Sequence, residues 1–529
     1  MPLSQIDHIV VVMLENRSFD NVLGWLYDAR NAPPFQTPPN GATFNGLSGA
    51  NASNPYNNQQ VPAQYGSANT TPNPDPHEMY QFVYAQLNGG PPNLPFPPPQ
   101  LPPCADAPTP NMQGFIDNYA DALSTEAPEQ DPTAIMDCFT PAQLPVISAL
   151  ANAYATCDAW FCSVPSQTYT NRSFVHAGTA SGYVNNMWKN PGHFPPIEFF
   201  VNDTATIFNL LENAGVSWRI YYGGPLFLCQ AFLNQNQLRP FGLDKSQRRF
   251  FPFANFAADA ADASSFPSYV FIEPNFIGNP WTGPENDEHP QATPTEEGGA
   301  SNVEYGEELL SNIYWTLRGN EELWNSTLLV ILFDEHGGTF DHVPPPCTIS
   351  PDGVTVANAG GYSFGFDRLG VRVPAVLVSP LIDQQVVHTQ FDHTTVLRSV
   401  IERFLPAGTT LGQREANAAS LDAVINLTTP RTDDPAIPKI TIAWTPDDFT
   451  IDDPKLSDFQ RELLAHAIVA AGDAAKHLGI AGDVLDFLAH VAGDIAGLFA
   501  RLDRRSDALP IIRRLLDLEQ RILGDQRIV

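Results

Sequence analysis

Short, uninterrupted apolar runs recur along the first 400 residues and end abruptly in polar side chains. Residues 328–333 form one such run, and the polar residues 334–336 (Asp-Glu-His) follow it directly. Residues 9–14 repeat the design and lead into Glu-Asn at 15–16. Runs of this length, bounded by turn formers and too short to span a membrane, are typical of fully buried strands in a parallel sheet. The pattern therefore predicts two strands whose carboxyl ends carry side-chain oxygens.

Further apolar runs alternate with segments of helical periodicity. We predict strands over 216–222, 269–273 and 371–378, and helices over 112–123, 144–154, 206–214, 301–318 and 391–404. Strands that alternate with helices over most of a chain indicate a three-layer α/β/α sandwich with a mostly parallel central sheet. Ligands bind such sheets outside the carboxyl ends of the strands. The polar strand ends are therefore the expected site.

Two stretches depart from this alternation. Residues 31–112 are rich in Pro, Asn, Gly and Gln, and their aromatic residues and the acidic run 75–78 favour a functional excursion over a free linker. Near the end of the chain, apolar residues between 484 and 502 recur at spacings of four and three, which marks a helix stripe. We therefore predict a catalytic region of residues 1–440 and a small helical C-terminal region of residues 441–529.

The chain is strongly acidic, with 58 acidic and 27 basic residues among 529 and a formal net charge of −31. This excess argues against a nucleic-acid partner and repels an anionic membrane at long range. An anionic substrate therefore needs a local cation. The helical tail leaves transient contact with a membrane surface open, and the sequence does not decide the oligomeric state.

The six cysteines are thinly spread and contain no CxxC pair. This spacing disfavours a zinc ribbon and does not indicate particular disulfides. No basic segment precedes the first apolar run, and no apolar stretch is long enough to cross a bilayer. We expect a protein that is either cytoplasmic or exported by a non-standard route.

A hydroxyl-rich turn over residues 163–170 enters a further predicted helix. The N-terminus of a helix suits an anion, and a Ser or Thr placed there can act as a nucleophile. The same residue types are more commonly simple N-caps. The turn alone leaves both interpretations open.

The two strand ends together offer a hard oxygen site. Three carboxylates and one amide oxygen meet there, and crowding that much negative charge without a cation would be costly. The contributing residues are Glu15, Asn16, Asp334 and Glu335. We therefore expect one divalent metal ion. Oxygen ligands favour calcium, magnesium or manganese, and an open site with a hydroxyl ligand also accepts zinc.

Three histidines are candidates for proton transfer, because they lie in polar loops or at helix starts, close after acidic residues. They are His77, His289 and His393. His336 adjoins two of the expected metal ligands, but adjacency alone does not give it a role.

Four blocks of the chain carry a resemblance. They are ENRSFD at 15–20, QTYTNR at 167–172, NDEHP at 286–290 and DEHGGTFDHV at 334–343. In content and order they resemble the signature blocks of the phosphoesterase family, which contains the non-specific phospholipases C and related bacterial acid phosphatases. The resemblance spans roughly residues 5–405. It implies the alkaline-phosphatase-like superfold and a bacterial origin.

The resemblance also implies residue roles. The matching metal ligands are Glu15, Asn16, Thr168, Asp334 and Glu335. Thr168 matches the nucleophile, although the family often has Pro where this chain has Thr170, so Thr170 stays an alternative and register favours Thr168. Asn171 and Arg172 match substrate-binding positions.

The three histidines match positions that contact phosphate oxygens or serve the leaving group and the attacking water. The implied mechanism has two steps. Thr168 attacks phosphorus while a histidine, His289 by preference, protonates the departing alcohol. A water activated by the histidine cluster, which includes His77 and His393, then hydrolyses the phosphothreonine.

The expected function is phospholipase C-type hydrolysis of phosphatidylcholine-like phosphodiesters. The intact Asn-Arg pair at 171–172 and the Glu-His-Gly-Gly run at 335–338 resemble the phospholipase branch more than the phosphatase branch. A broad-specificity acid phosphatase is the alternative, since the same nucleophile and metal would serve both. A third hypothesis, from another functional class, is a non-catalytic binding protein with the same fold.

Overall fold

An eight-stranded sheet forms the centre of the protein. The computed structural model describes residues 2–69, 72–90, 103–189, 197–238, 249–290, 302–353, 356–357, 363–451, 455–477, 497–498 and 501–523. The strands of the sheet are β1 His8–Leu14, β2 Ala155–Cys157, β3 Trp218–Tyr222, β4 Phe250–Pro252, β5 Tyr269–Glu273, β6 Thr327–Phe333, β7 Ala375–Val378 and β8 Gln385–Val387. Their order across the sheet is β4-β3-β5-β1-β6-β7-β2-β8.

Strands β1 and β6 lie side by side at the middle of the sheet, as their apolar runs predicted. They pair in parallel along their whole length, up to Leu14 opposite Phe333. All seven residues of β6 are buried, and so are six of the seven in β1. Because the two strands end level, Glu15 and Asp334 leave the sheet next to each other. The sequence prediction of one shared polar edge depends on this register.

One strand of the sheet runs against the others. Strand β7 pairs antiparallel with both β6 and β2, whereas the remaining neighbours pair in parallel. It is also shorter than the run 371–378 that predicted it, because only Ala375–Val378 enter the ladder. The prediction of a mostly parallel sheet is confirmed.

Helices cover both faces of the sheet. They are α1 Phe19–Leu23, α2 Tyr80–Asn88, α3 Phe115–Glu126, α4 Pro145–Ala153, α5 Thr168–Ala177, α6 Ile207–Ala214, α7 Gln230–Asn234, α8 Phe256–Ala260, α9 Asn302–Arg318, α10 Glu321–Trp324, α11 Thr394–Phe404, α12 Gln413–Asn417, α13 Asp448–Ile451, α14 Asp458–His477 and α15 Arg505–Leu523. Helix α9 contacts both α4 and α10, and α5, α6 and α11 contact one another as a second set. The three-layer α/β/α sandwich is confirmed.

The described parts of the excursion, residues 31–69, 72–90 and 103–112, pack against the sandwich. Helix α2 within the excursion contacts α3, and Val83 and Leu87 join Phe115 in a small apolar core of their own. Cys104 also forms a disulfide with Cys347. Cysteine spacing did not indicate this bond, because the two residues are 243 positions apart and no local pattern links them.

The C-terminal helices pack on the same body. Helix α14 buries Leu463, Leu464 and Ile468, and helix α15 docks through Glu519, whose carboxylate accepts hydrogen bonds from the Tyr222 hydroxyl (2.7 Å) and a backbone N–H. Most of the predicted stripe at 484–502 lies outside the described residues. The division at residue 440 stays a prediction. No helix in the described part of the chain is long and apolar enough to cross a membrane.

Candidate active site

Thr168 begins helix α5 with its side chain directed at the two strand ends. Its hydroxyl donates to Glu15 Oε2 at 3.2 Å and lies 3.4 Å from Asn16 Oδ1. The N-cap position belongs to Gln167, whose side chain does not cap the helix. Thr168 is fully buried and contacts two of the expected metal ligands. The structure thus brings together the residues that the sequence paired, while the nucleophilic role of Thr168 stays a prediction.

Its neighbour Thr170 faces away from this cluster. The Thr170 hydroxyl donates to the Gln167 carbonyl at 2.9 Å, so it closes a bond within its own helix turn. The Asn171 amide donates to the carbonyls of Val164 and Ser166 and holds the loop before the helix. This geometry favours Thr168 over Thr170. For Asn171 it indicates loop positioning, and substrate binding stays a prediction.

Arg172 lies beneath the strand ends. Its guanidinium pairs with Glu15, lies 3.5 Å from Asp334 Oδ2 and donates to the Met13 carbonyl at 2.9 Å. Only 1% of the side chain is exposed. Arg172 therefore compensates part of the local negative charge from inside the protein. Contact with substrate stays a prediction for this residue.

The carboxylates at the strand ends keep unfilled bonding capacity. Asp334 Oδ1 accepts the backbone N–H groups of Asn16 (3.1 Å) and Glu335 (2.7 Å), and Glu335 Oε2 accepts that of Gly337 at 2.8 Å. Within the described residues, Asp334 Oδ2 and Glu335 Oε1 are buried without a hydrogen-bond donor. Buried oxygens of this kind fit a divalent cation.

Electrostatics give the same indication. Burial, together with the Asp334 charge, raises the pKa of Glu15 well above its usual value despite the opposing Arg172. Burial and Asp334 likewise raise the pKa of Glu335. We refer to Glu15, Asp334 and Glu335 as the strand-end cluster. It carries more negative charge than its single arginine neutralises, and a cation would relieve the excess.

The excursion delivers Glu78, which the sequence prediction missed. Glu78 Oε1 accepts from Asn16 Nδ2 at 2.5 Å and lies 3.8 Å from His289 Nε2. Burial raises the pKa of Glu78 well above its usual value. With Asp75 and His289, it forms a group whose ligand atoms lie within 4.8 Å of one another, close enough to hold a metal ion. The only sequence signal was the acidic run 75–78, from which the prediction chose His77.

His77 lies further out. Its ring stacks on Phe82 with centroids 4.1 Å apart, and its Nε2 is 3.7 Å from Asp121. The side chain is 28% exposed and lines a cavity that also contacts Glu78 and Gln167, the residue before Thr168. The structure therefore places His77 at the rim of the site.

His289 reaches the centre of the site. Its Nδ1 donates to the Pro290 carbonyl (2.8 Å), which leaves Nε2 to accept from Asn16 Nδ2 at 2.9 Å. Burial lowers the pKa of His289 to about 4, so the imidazole is neutral at pH 7. Phe459 of α14 stacks on the ring, with centroids 5.2 Å apart. The C-terminal region thus contributes directly to the surroundings of a predicted catalytic residue.

His393 lies behind the strand end. Its Nε2 is 2.6 Å from the Asp334 carbonyl, and its Nδ1 accepts from Trp160 Nε1 at 3.4 Å. Burial lowers the pKa of this imidazole. Both ring nitrogens are thus engaged by the protein. His393 holds the backbone of Asp334, and a role in proton transfer stays a prediction.

Two further acids and one amide support Glu15. Gln230 Nε2 donates to Glu15 Oε1 at 3.0 Å, and the Glu273 carboxylate holds the start of α7 through the Gln230 N–H at 2.7 Å. The Asp287 carbonyl accepts the Glu15 N–H at 2.7 Å. The sequence offered a signal for Glu273, which ends a predicted strand, and for Asp287, which lies in the NDEHP block. It offered none for Gln230.

A second acidic cluster contains Asp20 and Asp341, which follow Glu15 and Asp334 by five and seven residues. Arg372 pairs with Asp20 and Asp341 at 3.0 Å each, and His342 Nδ1 lies 2.6 Å from Asp20. Burial alone would raise the pKa of Asp20, but His342 and Arg372 outweigh it and hold that pKa below its usual value. We call these four residues the arginine cluster. Its charges are paired within the protein.

Known proteins are similar to this sequence over most of its length. The Phosphoesterase family matches residues 6–405. Non-specific phospholipase C3 of Arabidopsis thaliana is 33% identical over 90% of this chain and 84% of that protein. Phospholipase C B of Mycobacterium tuberculosis is 28% identical over 81% of this chain and 79% of that protein. A solved structure of an alkaline phosphatase superfamily protein from Vibrio parahaemolyticus covers 52% of this chain and 64% of its own, at 11% identity and a TM-score of 0.31.

The matched sequence and the site agree on one class of enzyme, the phosphoric ester hydrolases that resemble phospholipases C. The chain belongs to the phosphoesterase family. The resemblance carried by the four sequence blocks is confirmed.

Proposed function

We propose that the protein hydrolyses phosphatidylcholine-like phosphodiesters in the manner of a phospholipase C, with Thr168 as the nucleophile. The contact of the Thr168 hydroxyl with Glu15 and Asn16 carries this proposal, because it directs a buried hydroxyl at the carboxylates of the polar sheet edge. The names of the relatives support the choice of a phospholipase C substrate. Those names give no head group, so the choice of phosphatidylcholine comes from the resemblance of the four sequence blocks.

The residues of the chain supply nucleophile, orientation and proton transfer. The Thr168 hydroxyl passes its proton to Glu15 Oε2, its hydrogen-bond acceptor, and attacks phosphorus. A phosphothreonine forms as the bond from phosphorus to the departing alcohol breaks, and the N-terminus of α5 places partial positive charge beside the anionic phosphoryl group. His289 protonates the departing alcohol. For this it must first gain a proton at Nε2, and Glu78, with its raised pKa, is the adjacent carboxyl that can share one. A water that gives a proton to the then neutral histidine cleaves the phosphothreonine, and Thr168 regains its proton from Glu15.

One divalent ion would be held by Glu15, Asn16, Thr168, Asp334 and Glu335. The buried, donor-free oxygens of Asp334 and Glu335 fit such an ion, and calcium, magnesium, manganese and zinc all stay open. When bound, the ion would lower the pKa of the Thr168 hydroxyl and offset the crowded carboxylate charge. His77 and His393 complete the proposed set, at the rim of the site and behind Asp334.

The test compares two chromogenic esters, p-nitrophenylphosphorylcholine and p-nitrophenyl phosphate, with and without a chelator. We expect faster release from the diester, loss of release with chelator and recovery with one of the four metals. A preference for the monoester would replace the proposal with the acid phosphatase alternative. No turnover of either ester by the metal-loaded protein would support a non-catalytic binding protein instead.

A further inference from the structure

His336 bridges the strand end and the excursion. Its ring is fully buried, and its Nε2 lies 2.8 Å from Gln86 Oε1 in helix α2. Gln86 Nε2 donates at 2.8 Å both to the His77 carbonyl and to Asn118 Oδ1. Since the Gln86 amide nitrogen is the donor in both bonds, its oxygen is the acceptor and His336 Nε2 carries the proton. All hydrogen-bonding atoms of the Gln86 side chain are therefore used.

The other side of the His336 ring faces the strand-end cluster. Its Nδ1 lies 3.2 Å from Glu335 Oε2, and the ring packs edge-on against Phe115. Nδ1 makes no hydrogen bond, so the bonded link is the one through Nε2. Gln86 therefore joins His336, the residue next to Glu335, to the carbonyl of His77. The next residue after that carbonyl is Glu78.

The double-glycine turn brings the same two parts into direct contact. A Cβ atom on Gly338 would lie 2.6 Å from Pro76 Cβ, and one on Gly337 would lie 2.0 Å from the Asn16 carbonyl oxygen. Both glycines also have positive φ angles, 58° and 64°. Only residues without Cβ fit between Asn16 and the excursion here.

We infer that His336 and Gln86 are positioning residues that set Glu78 against Asn16 and His289. The disulfide of Cys104 attaches the excursion at a different point, 26 residues after Glu78. The inference concerns how the site is assembled, and only its kinetic test rests on the proposed function.

Asn54 provides a matched control. It is a fully buried amide in the same excursion, and its side chain makes hydrogen bonds to the Phe115 N–H (2.9 Å), the Ile116 N–H (3.4 Å), the Met112 carbonyl (2.8 Å) and the Ser53 carbonyl (3.5 Å). These bonds hold the start of α3 and do not involve the segment before Glu78. Asn54→Ala and Gln86→Ala should therefore lower stability to a similar extent.

Kinetics should separate the two variants. We expect Gln86→Ala to lower kcat by about 10- to 100-fold with little change in KM, because a misplaced catalytic group costs rate even when substrate still binds. Asn54→Ala should keep kcat within about twofold. In Gln86→Ala combined with Glu78→Gln, the loss should not exceed that of Glu78→Gln alone. Independent, multiplying losses, or an equal loss in Asn54→Ala, would overturn the inference.

Hydrogen exchange tests the same point without turnover. Amide exchange over residues 74–80 should rise in Gln86→Ala, and in the milder His336→Asn, while it stays unchanged in Asn54→Ala. Unchanged amide exchange in both Gln86→Ala and His336→Asn would refute the positioning role, even if the wild-type protein hydrolysed none of the esters. Conversely, the expected exchange pattern in a protein without phosphoesterase activity would refute only the proposed function.

Discussion

The acidic residues of the strand-end cluster and of the arginine cluster come from the same two sequence segments, 15–20 and 334–342, yet their negative charges are compensated differently. In the arginine cluster, Arg372 pairs with both aspartates and His342 supplies a second partner. In the strand-end cluster, Arg172 serves Glu15 and Asp334, and Glu335 has no arginine or lysine partner among the described residues. Asp20, Asp341 and His342 also lie close enough together to hold an ion, so closeness of acidic residues alone does not separate the two clusters. We expect the ion at the strand-end cluster, because its three buried carboxylates share a single arginine.

The largest difference between the clusters should appear in turnover. Thr168→Ala removes the hydroxyl that faces the strand-end cluster, and we expect kcat to fall by at least about 10³-fold with p-nitrophenylphosphorylcholine. Thr170→Ala is the control, because its hydroxyl bonds within its own helix turn, and it should retain most activity. Full residual turnover in Thr168→Ala would remove Thr168 as nucleophile.

Loss of the positive charge of Arg372 in the arginine cluster should have the largest effect on stability. Arg372→Met leaves two buried aspartates without the arginine that they share, which should lower the free energy of unfolding by about 3–5 kcal/mol. Urea unfolding in chelator measures this. Glu335→Gln, which instead removes an excess buried charge, should be neutral or stabilising under the same conditions. A large loss in Glu335→Gln would mean that the strand-end cluster is already balanced.

Divalent cations should distinguish the clusters by binding. Added calcium, magnesium, manganese or zinc should raise the thermal midpoint of the wild-type protein through ligand linkage. Glu335→Gln should weaken the binding at least about tenfold in titration calorimetry. Asp341→Asn should leave the affinity unchanged. If Asp341→Asn weakens the binding and Glu335→Gln leaves the affinity unchanged, the divalent cation belongs to the arginine cluster.

The smallest effect should be a pH dependence of stability at His342. Burial alone would lower the pKa of His342, but the Asp20 carboxylate outweighs burial and raises it above 6.5. The folded protein then binds this proton more tightly than the unfolded chain, so the contribution is complete below pH 6.5 and is lost as pH rises through the folded pKa. His342→Gln should cost about 1 kcal/mol at pH 5.5 and less at pH 9. An equal cost at both pH values would contradict this assignment.

The sequence predicted the part of the site that regular structure positions. The apolar runs of β1 and β6 located the two strand ends, and their level register brought Glu15 and Asn16 to Asp334 and Glu335. The helix start at Thr168 likewise follows from local pattern. Periodicity encodes these relations directly, because residues at the ends of neighbouring parallel strands share one edge.

The rest of the site comes from segments without periodicity. Glu78 and His77 are adjacent in a Pro-rich loop, and the packing of that loop on Gly338 and Gln86 helps to decide which side chain points inward. Phe459 reaches His289 from a helix 170 positions later in the chain. Contacts of this kind depend on the tertiary path of irregular segments, which no local pattern of one sequence encodes.

The disulfide between Cys104 and Cys347 makes a ring of much of the chain, since its two residues are 243 positions apart. That ring contains α5, the NDEHP block and strand β6. A cross-link over a loop of this size lowers the conformational entropy of the unfolded chain, which raises the free energy of unfolding by about 5 kcal/mol in the chain-entropy account. It persists only where thiols are kept oxidised. The redox state of the compartment in which the protein is made therefore sets part of its free energy of unfolding. It does so because the disulfide acts on the conformations of the unfolded chain.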